Sequence, residues 1–436
     1  MHLFQVALIF SLLALTACAT PESASITPQP GAAYANFTPD GAWCWFADPR
    51  GVYYEGQHRR TYMGWVDADC NVKIGYYDHD TQQVTIEATP LRERIRKNNG
   101  PPDDHCNPAL HFLPDGRLMV LYSPHGGNPM WYRISRNPED ITSWQAEQTL
   151  PTNTEGDRGY TYPNPVQLSD EDNKLYLFWR GANFKPNFST STDNGATWAE
   201  ARTMVMGEGA RPYVKYATNG VDRIHIAFTD GHPRNETQNS IYYVSYYNDA
   251  FYRADGSKIK DMADLPMEPA DADRVYDATQ IDARGWIWDI AIDAEERPVI
   301  VYSASPEETD HRYRYARWTG SEWLDVELTT GGGWFPQTQP GKTEREPHYS
   351  GGIYLDHTNP SIVYLSRPIN GVFEIEQWTT PDAGRTWTSQ AITAGSSKNN
   401  VRPFVPRNYP GGPGGVFWMY GDYIHYTNYH TAIKMK

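Results

Sequence analysis

The chain has 436 residues, including 15 Trp, 30 Tyr and 14 Phe, together with 35 Gly and 33 Pro. This abundance of aromatic and turn-forming residues, without long stretches of strong helix formers, favours an all-β protein over a helical one. The formal net charge of -15 argues against nucleic acid as a partner, and an acidic ligand would need a locally basic cleft.

The N-terminal segment predicts export. Residues 3–17 form an apolar run too short for a comfortable membrane span, and small residues precede Cys18. This pattern resembles a bacterial lipobox, whose cysteine is lipidated and becomes the mature N-terminus. One departure from the pattern is that residues 1–5 carry no Lys or Arg. Ordinary secretion is the alternative. We expect residues 1–17 to be a lipoprotein signal peptide and residues 18–33 a disordered tether. The exported protein would then be anchored at the outer membrane by its lipid, or secreted.

Three further cysteines are present: Cys44, Cys70 and Cys106. Cys44 and Cys70 fall on neighbouring strands of the first repeat described below, so an exported chain is predicted to join them in a disulfide. The sequence contains neither a CxxC pair nor an HExxH motif. It therefore predicts no metal site, although a structural ion stays open.

Seven segments share one pattern: an apolar strand, a turn rich in Asp, Gly, Asn or Pro, and a second strand rich in Tyr, Trp, Val and Ile. The segments begin at Trp43, His105, Tyr162, Arg211, Trp288, His348 and Arg402. Their spacings of roughly 49 to 77 residues are typical of four-stranded blades with variable loops. We therefore predict a seven-bladed β-propeller over residues 34–436, as one domain and as a monomer.

Two turns repeat one motif. STDNGATW, residues 191–198, and TPDAGRTW, residues 380–387, fit S/T-x-D-x-G-x-T-W, in which an Asp closes a tight turn and a Gly accepts positive φ. They resemble the Asp-box of BNR-repeat β-propellers. Both lie where the third strand of a blade turns into the fourth, so we expect them to fasten blades at the face opposite the functional site.

Strand direction predicts which side chains meet. In a propeller the starts of the innermost strands and the ends of the second strands lie around one mouth of the axis. From strand starts this mouth collects His105, Tyr162, Arg211, Tyr213, Trp288, His348 and Arg402; from second-strand ends it collects His125, Arg180, His232 and Arg367. Such a cationic, aromatic surface suits a carboxylated or sulfated sugar chain.

Several motifs carry a more specific resemblance. They are DDHCNPAL at 103–110, YSPHGG at 122–127, YTYPNPVQL and LYLFWRG within 160–181, RPYVKY at 211–216, and PHYSGGIYLDHTNPSIVYLSR at 347–367. These resemble the BNR-4 propellers of ulvan lyases, polysaccharide lyase family 25 and the related family 24. The resemblance implies a cleft in which two His, one Tyr and one Arg meet a uronic acid. Motif by motif, these are His105, His125, Tyr162 and Arg180, with substrate contacts expected from Arg211, Tyr213, His232, Trp288, His348 and Arg367.

The implied reaction is β-elimination, which needs no cofactor. A base removes the proton on C5, and positive charge must offset the enolate-like carboxylate that forms. Arg180 fits that task. Tyr162 could act as base at C5, as acid toward the departing O4, or as both, since a phenolate beside cations is favoured. His105 would share the acid/base work, and His125 would orient the carboxylate.

Two other functions stay open on the sequence alone. A glycoside hydrolase, such as a rhamnosidase or sialidase, needs two facing carboxylates, and the strand ends offer Asp230 and Asp289. The third possibility is a carbohydrate-binding propeller without catalysis, because a fold does not fix a function.

Overall fold

The computed structural model describes residues 34–96, 99–207, 211–337, 341–411 and 414–436. The predicted signal peptide, the tether and Cys18 lie outside the described residues. Within the described ranges, no helix has the length and apolar character needed to cross a membrane.

The described residues contain thirty strands, numbered in chain order, which form seven antiparallel sheets. The first strand is β1 Ala35–Thr38. Blade 1 consists of β2 Gly51–Glu55, β3 Arg59–Val66, β4 Val72–Asp78 and β5 Gln83–Ile86. Blade 2 consists of β6 Ala109–Phe112, β7 Leu118–Tyr122, β8 Trp131–Ile134 and β9 Gln148–Thr149. Blade 3 consists of β10 Thr161–Leu168, β11 Lys174–Arg180, β12 Pro186–Ser191 and β13 Arg202–Thr203.

The next three blades follow the same order, with two extra strands in blade 4. Blade 4 consists of β14 Val214–Thr218, β15 Arg223–Thr229, β16 Ile241–Tyr247, β17 Ala250–Tyr252, β18 Lys258–Asp261 and β19 Asp273–Tyr276. Blade 5 consists of β20 Arg284–Ile292, β21 Pro298–Glu307, β22 Asp310–Trp318 and β23 Trp323–Gly332. Blade 6 consists of β24 Ile353–Leu355, β25 Ile362–Ile369, β26 Val372–Thr379 and β27 Thr388–Ala391.

Blade 7 closes the ring. It consists of β28 Asn399–Phe404, β29 Phe417–His425 and β30 Asn428–Met435, with β1 as its outermost strand. Ala35 pairs with Met435, so the N-terminal strand completes the blade formed by the C-terminal strands. This closure leaves no open gap between first and last blade. The predicted seven-bladed β-propeller is confirmed.

Helical structure is limited to short turns in the described residues. The one α-helix is α1 Ala278–Ile281. The 3-10 turns are Asp104–Cys106, Ser169–Glu171, Ala182–Phe184, Met262–Asp264 and Pro269–Asp271. The first of these turns carries a predicted catalytic histidine, and the third carries an aromatic ring beside the candidate site.

The two Asp-boxes fasten neighbouring blades, as predicted. They join β12 to β13 and β26 to β27. In the first, Asp193 accepts hydrogen bonds from the Thr197 backbone N–H at 2.8 Å and hydroxyl at 2.6 Å. Tyr132 of blade 2 donates to the Gly195 carbonyl of this turn at 2.8 Å. In the second, Trp387 packs edge-on against Tyr315 of blade 5, at 5.0 Å between ring centroids.

Residues 43–48, here called the axial segment, cross the centre of the ring without forming a strand. Polar groups of five blades or their entry loops hold it. The contacts are Asn107 to the Cys44 N–H, Asn164 to the Phe46 carbonyl, Lys215 to the Trp45 carbonyl, the Ile287 carbonyl to the Trp45 indole, and Arg402 to the Trp43 carbonyl. The prediction that blade 1 starts its first strand at Trp43 is therefore wrong, because that strand begins at Gly51.

The predicted disulfide between Cys44 and Cys70 is also wrong. All three described cysteines are free and buried. Cys44 belongs to the axial segment, where its sulfur lies within 4.8 Å of ligand atoms of Asp104 and His105. Cys70 lies in the turn after β3 and donates to the Ile95 carbonyl at 3.2 Å. The two cysteines are separated because the axial segment is not the strand that the sequence pattern suggested.

Candidate active site

A cavity of about 460 Å³ opens at the axial mouth. Cys44, Trp45 and Phe46 of the axial segment form part of its lining. Seven of the ten predicted catalytic and substrate-binding residues also line it: His105, His125, Tyr162, Arg180, Arg211, Tyr213 and His232. The strands thus bring residues as far as 127 positions apart in the chain, His105 and His232, to one cavity.

Trp288 does not line this cavity. Its indole is 2% exposed and stacks under Trp45, at 3.9 Å between centroids. Trp286, two residues earlier on the same strand, lines the cavity instead. The expected position of Trp288 at the mouth is therefore corrected: β20 begins at Arg284, four residues before the start expected from the sequence, so an earlier residue reaches the mouth.

His348 and Arg367 are also absent from the cavity lining. His348 is buried and bonds through Nε2 with the Arg284 guanidinium at 3.0 Å, and burial lowers its pKa to about 3. Arg367 pairs with Glu376 at 2.8 Å across β25 and β26. Both side chains have partners within the propeller framework, so their expected position at the cavity is corrected as well.

Asp103 joins the two predicted histidines. One carboxylate oxygen lies 2.7 Å from His105 Nδ1 and the other lies 2.8 Å from His125 Nδ1. The two imidazole rings are parallel, with centroids 4.2 Å apart. Burial opposes ionisation of Asp103, but His125 and His105 outweigh it and hold the pKa of that carboxyl well below its usual range. An ionised carboxylate only accepts hydrogen bonds, so each histidine carries its proton on Nδ1.

The pKa values of the two histidines are shifted in opposite directions. For His105, burial favours the neutral ring, but the Cys44 sulfur and the carboxylates of Asp103 and Asp104 raise its pKa well above 6.5. For His125, burial and then the charge of its neighbour lower the pKa to about 4. The raised pKa favours the imidazolium at His105, whereas the lowered pKa favours a neutral His125 whose Nε2 is available to accept a proton. Two groups with pKa values moved apart in this way suit opposite roles in proton transfer.

Asp104 supports this arrangement from behind the cavity. Its second oxygen accepts hydrogen bonds from Arg402 at 2.6 Å and from the Tyr423 hydroxyl at 2.7 Å. Its first oxygen lies 3.0 Å from His105 Nδ1. Arg402, which the sequence placed at the mouth, is 1% exposed and serves this buried network.

Tyr162 has an unusual backbone. It adopts φ of 61° directly before Pro163, a position where the following ring favours extended conformations. The register of β10 against β11 shifts between Thr161 and Asn164, and this bulge places the ring on the cavity lining. Non-glycine residues held in such conformations occur at functional sites more often than elsewhere.

The Tyr162 hydroxyl is buried and has no hydrogen-bond partner among the described residues. Burial, with the Cys44 sulfur, raises its pKa well above 10 and outweighs Arg180, which lowers it. The sequence-based expectation that nearby cations favour a phenolate is therefore not met, because burial outweighs the effect of Arg180, whose guanidinium carbon lies over the ring, 4.6 Å from its centroid. Tyr162 is a phenol that can donate a proton.

Arg180 is a buried cation, 6% exposed. It donates to the Tyr213 hydroxyl at 2.8 Å and lies within 3.5 Å of the Thr161 hydroxyl. Burial disfavours its charge, but the Tyr162 and Tyr213 hydroxyls nevertheless raise its pKa. Among the described residues, no carboxylate forms an ion pair with it. A buried guanidinium without an anionic partner is costly unless a ligand supplies the anion.

Sequence reasoning missed several residues of this cavity. Asp103 and Glu346 are the main ones, and Glu346 pairs with His232 at 2.9 Å and with Arg234 at 2.5 Å. The sequence did offer a signal for Asp103, because this residue precedes His105 by two positions in the motif at residues 103–110. Glu346 follows an irregular loop, so strand periodicity gave no signal for it.

Two groups in the described residues bring possible metal ligands within 4.8 Å of one another: Cys44 with Asp104 and His105, and Asp103 with His105 and His125. His105 belongs to both. Its Nδ1 already donates to a carboxylate, as does that of His125, so the contacts account for charge and tautomer without an added ion.

The chain belongs to the BNR repeat-containing family, whose model matches residues 60–330. This agrees with the seven blades and the two Asp-boxes. The fold is also found in solved structures. An ulvan lyase of polysaccharide lyase family 25 superposes with a TM-score of 0.68 at 17% identity, covering 92% of this chain and 95% of that one.

The same ulvan lyase is known in complex with a glucuronate-(1-4)-rhamnose-3-sulfate repeat, with the same TM-score and coverage. A crystal structure of a further polysaccharide lyase gives a TM-score of 0.57 at 13% identity, over 95% of this chain and 93% of that chain. At these identities the comparisons establish a common fold.

Proposed function

We propose that this protein is a polysaccharide lyase that cleaves ulvan, a sulfated rhamnose and uronate polysaccharide, by β-elimination. The observation that carries the proposal is the proximity of a buried guanidinium without a carboxylate partner to a buried hydroxyl without a hydrogen-bond partner. Arg180 lacks a described carboxylate partner, and the Tyr162 hydroxyl beside it lacks any described hydrogen-bond partner. A uronate supplies what both lack: a carboxylate for the guanidinium and a glycosidic oxygen for the phenol.

The remaining roles follow from the opposite pKa shifts of the two histidines. The neutral His125 removes the proton from C5 through Nε2, and the released electron pair forms the C4–C5 double bond. The C4–O4 bond breaks, and the Tyr162 hydroxyl gives its proton to the departing O4. Arg180 and the imidazolium of His105 offset the charge that develops on the carboxylate. The products are a free hydroxyl end and a 4,5-unsaturated uronate.

The cavity is less suited to hydrolysis by two carboxylates. Asp289 pairs with His357 at 2.8 Å and is absent from the cavity lining. Asp230 accepts hydrogen bonds from the Ser240 N–H and the Tyr242 hydroxyl, and it lines a different cavity. The carboxylates that do line the site, Asp103 and Glu346, are each engaged by histidine.

The test is direct. Purified protein is incubated with ulvan, and the absorbance of the conjugated unsaturated uronate is followed in the ultraviolet while new reducing ends are counted. Elimination produces both signals in equal number. Reducing ends without absorbance would indicate a hydrolase, and binding without either signal would indicate a carbohydrate-binding propeller.

We also propose that the protein acts outside the cytoplasm as a monomer and that lipid on Cys18 is its only link to a membrane. The lipobox-like sequence before Cys18 supports export and the lipid anchor. Cys18→Ser should release the protein from membranes of the producing cell, as judged by fractionation.

The chemistry needs no cofactor, so activity should survive dialysis against a chelator. Loss of activity that an added divalent ion restores would contradict this.

A further inference from the structure

A second cavity, of about 510 Å³, lies at the end of the propeller axis opposite the candidate active site. Residues of β6, β10 and β14, with the turns after β6 and β14, form most of its wall. These strands begin at the active-site mouth, so their ends reach the opposite face. Asp48 and Arg407 line this second cavity as well.

Five charged side chains meet beside the second cavity, and we call them the axial network: Asp48, Asp289, Arg50, Lys215 and Arg407. Asp48 pairs with Arg50 at 3.2 Å and accepts a hydrogen bond from Lys215. The Nη2 atom of Arg407 lies 3.7 Å from a carboxylate oxygen of each aspartate. Three cations therefore share two carboxylates, and the network carries one positive charge in excess.

The protonation states of the network support this count. Burial opposes ionisation of Asp289, but His357 leads the groups that lower its pKa to about 2. Burial lowers the pKa of His357, so that ring is neutral. Burial also lowers the pKa of Lys215. Its Nζ nevertheless donates to the Asp48 carboxylate and, at 2.6 Å, to the Trp45 carbonyl, and these partners suit an ammonium group.

Arg407 is the weakly paired cation of the axial network. Its Nη1 atom is buried and has no hydrogen-bond partner among the described residues. The side chain is only 16% exposed, and a buried donor without an acceptor costs free energy. A water molecule could accept that hydrogen bond, but only an anion would also balance the charge of the network.

We propose that Arg407 holds a small monovalent anion, a carboxylate or a halide, in the second cavity. One negative charge balances the excess of the axial network, whereas a divalent anion would reverse it. Lys215 of the network also donates to Trp45, which belongs to the axial segment and lines the active-site cavity. The bound anion therefore stabilises the segment that runs between the two cavities. This inference does not rest on the proposed lyase function.

The experiment follows thermal unfolding of parent, Arg407→Met and Arg60→Met as sodium formate or, in a separate series, sodium chloride is added. Arg60 is the matched control, because its side chain is 15% exposed, pairs with Asp78 at 2.8 Å and does not line the second cavity. In parent and Arg60→Met we expect a saturable rise in unfolding temperature of about 3 °C at a hundredfold excess of anion over its dissociation constant. Arg407→Met should show only the general effect of salt.

The two salt series identify the ligand. A saturable rise with formate alone supports a carboxylate site, and a saturable rise with chloride supports a halide site. The same saturable rise in Arg407→Met as in the parent, or none in the parent with either salt, overturns the inference.

Asp289→Asn makes the opposite change and covers the case in which Arg407→Met does not fold. It raises the excess to two positive charges, so the anion concentration at half-saturation should fall at least threefold. An unchanged or higher concentration overturns the inference. None of these measurements uses a polysaccharide, so failure of the proposed lyase function would leave their outcome unaffected.

Discussion

Two buried arginines near the propeller axis pack over similar aromatic rings but have different partners. Arg50, which leads into β2, is fully buried and lies over Phe404, 4.4 Å from the ring centroid. Arg180 lies over Tyr162 at 4.6 Å. Arg50 pairs with Asp48 at 3.2 Å, whereas Arg180 has no described carboxylate partner.

The difference extends to the surroundings of each arginine. Asp48 also pairs with Lys215, and Arg407 lies 3.7 Å from both Asp48 and Asp289. That network supplies two carboxylates to its three cations, and it belongs to the framework. Arg180 lines the active-site cavity with its charge uncompensated by any described carboxylate. The same residue type in similar aromatic packing thus serves stability when the chain supplies the anion, and ligand binding when it does not.

The largest effect should come from Arg180→Met, which keeps much of the side-chain volume and removes the charge. We expect turnover of ulvan to fall by about 10²–10³, because the charge is needed most as the carboxylate gains electron density. Unfolding temperature should stay the same or rise, since a buried unpaired cation is removed. A change in KM alone would reassign Arg180 to plain binding.

Arg50→Met is the matched counterpart. It removes one of the three cations around Asp48 and leaves Lys215 and Arg407 in place, so the free energy of unfolding should fall by less than the ~3 kcal/mol that an uncompensated buried charge costs. Turnover per folded molecule should match the parent. Denaturant unfolding and active-site-normalised rates measure the two quantities. A catalytic loss without a stability loss would mean that the two arginines do not differ as proposed.

Tyr162→Phe sharpens the comparison, because it removes one hydroxyl and keeps the ring beneath Arg180. Turnover should fall on the order of a hundredfold or more, the usual scale for a lost acid or base. The control is Tyr160→Phe, whose hydroxyl donates to the Thr152 carbonyl at 2.6 Å and does not line the cavity. That variant should lose stability and keep turnover. Parent-like formation of unsaturated uronate by Tyr162→Phe would leave His105 and His125 as the acid/base candidates.

The sequence predicted the ring of blades well because each blade repeats one local pattern. Turn residues and alternating apolar positions are local signals, and strand direction then decides which ends meet. His105, Tyr162 and Arg180 were assigned to one mouth on that basis, and they line one cavity. Their catalytic roles stay predictions.

The errors arose where long-range contacts override local pattern. The axial segment reads as a strand from Trp43 onward, yet hydrogen bonds from blades up to 359 residues away hold it across the axis. Trp288 and Trp286 have the same parity on one strand, so periodicity could not choose between them. The split between the His105 and His125 pKa values depends on burial and on a shared carboxylate, which the sequence does not reveal.

The final prediction concerns pH and should be the smallest effect. His125 must be neutral to take a proton, and its lowered pKa of about 4 means that kcat/KM should fall only as the pH drops through that value. His105 must keep its proton to offset charge. Its raised pKa means that activity persists above pH 6.5 and declines as the pH rises through the pKa of the folded protein.

Asp103→Asn tests whether the shared carboxylate sets that alkaline limb. Burial alone lowers the pKa of His105, and Asp103 is among the groups that reverse this. Without the carboxylate the imidazolium should lose its proton earlier, so the alkaline decline of kcat/KM should move to lower pH, while the rate on the acid side of the new limb stays measurable. Because an asparagine preserves the side-chain size, the folded cavity should persist, as thermal unfolding would verify. An alkaline limb at the same pH in parent and variant would show that another group carries it, and His105 would then lose its assigned role as the charged member of the pair.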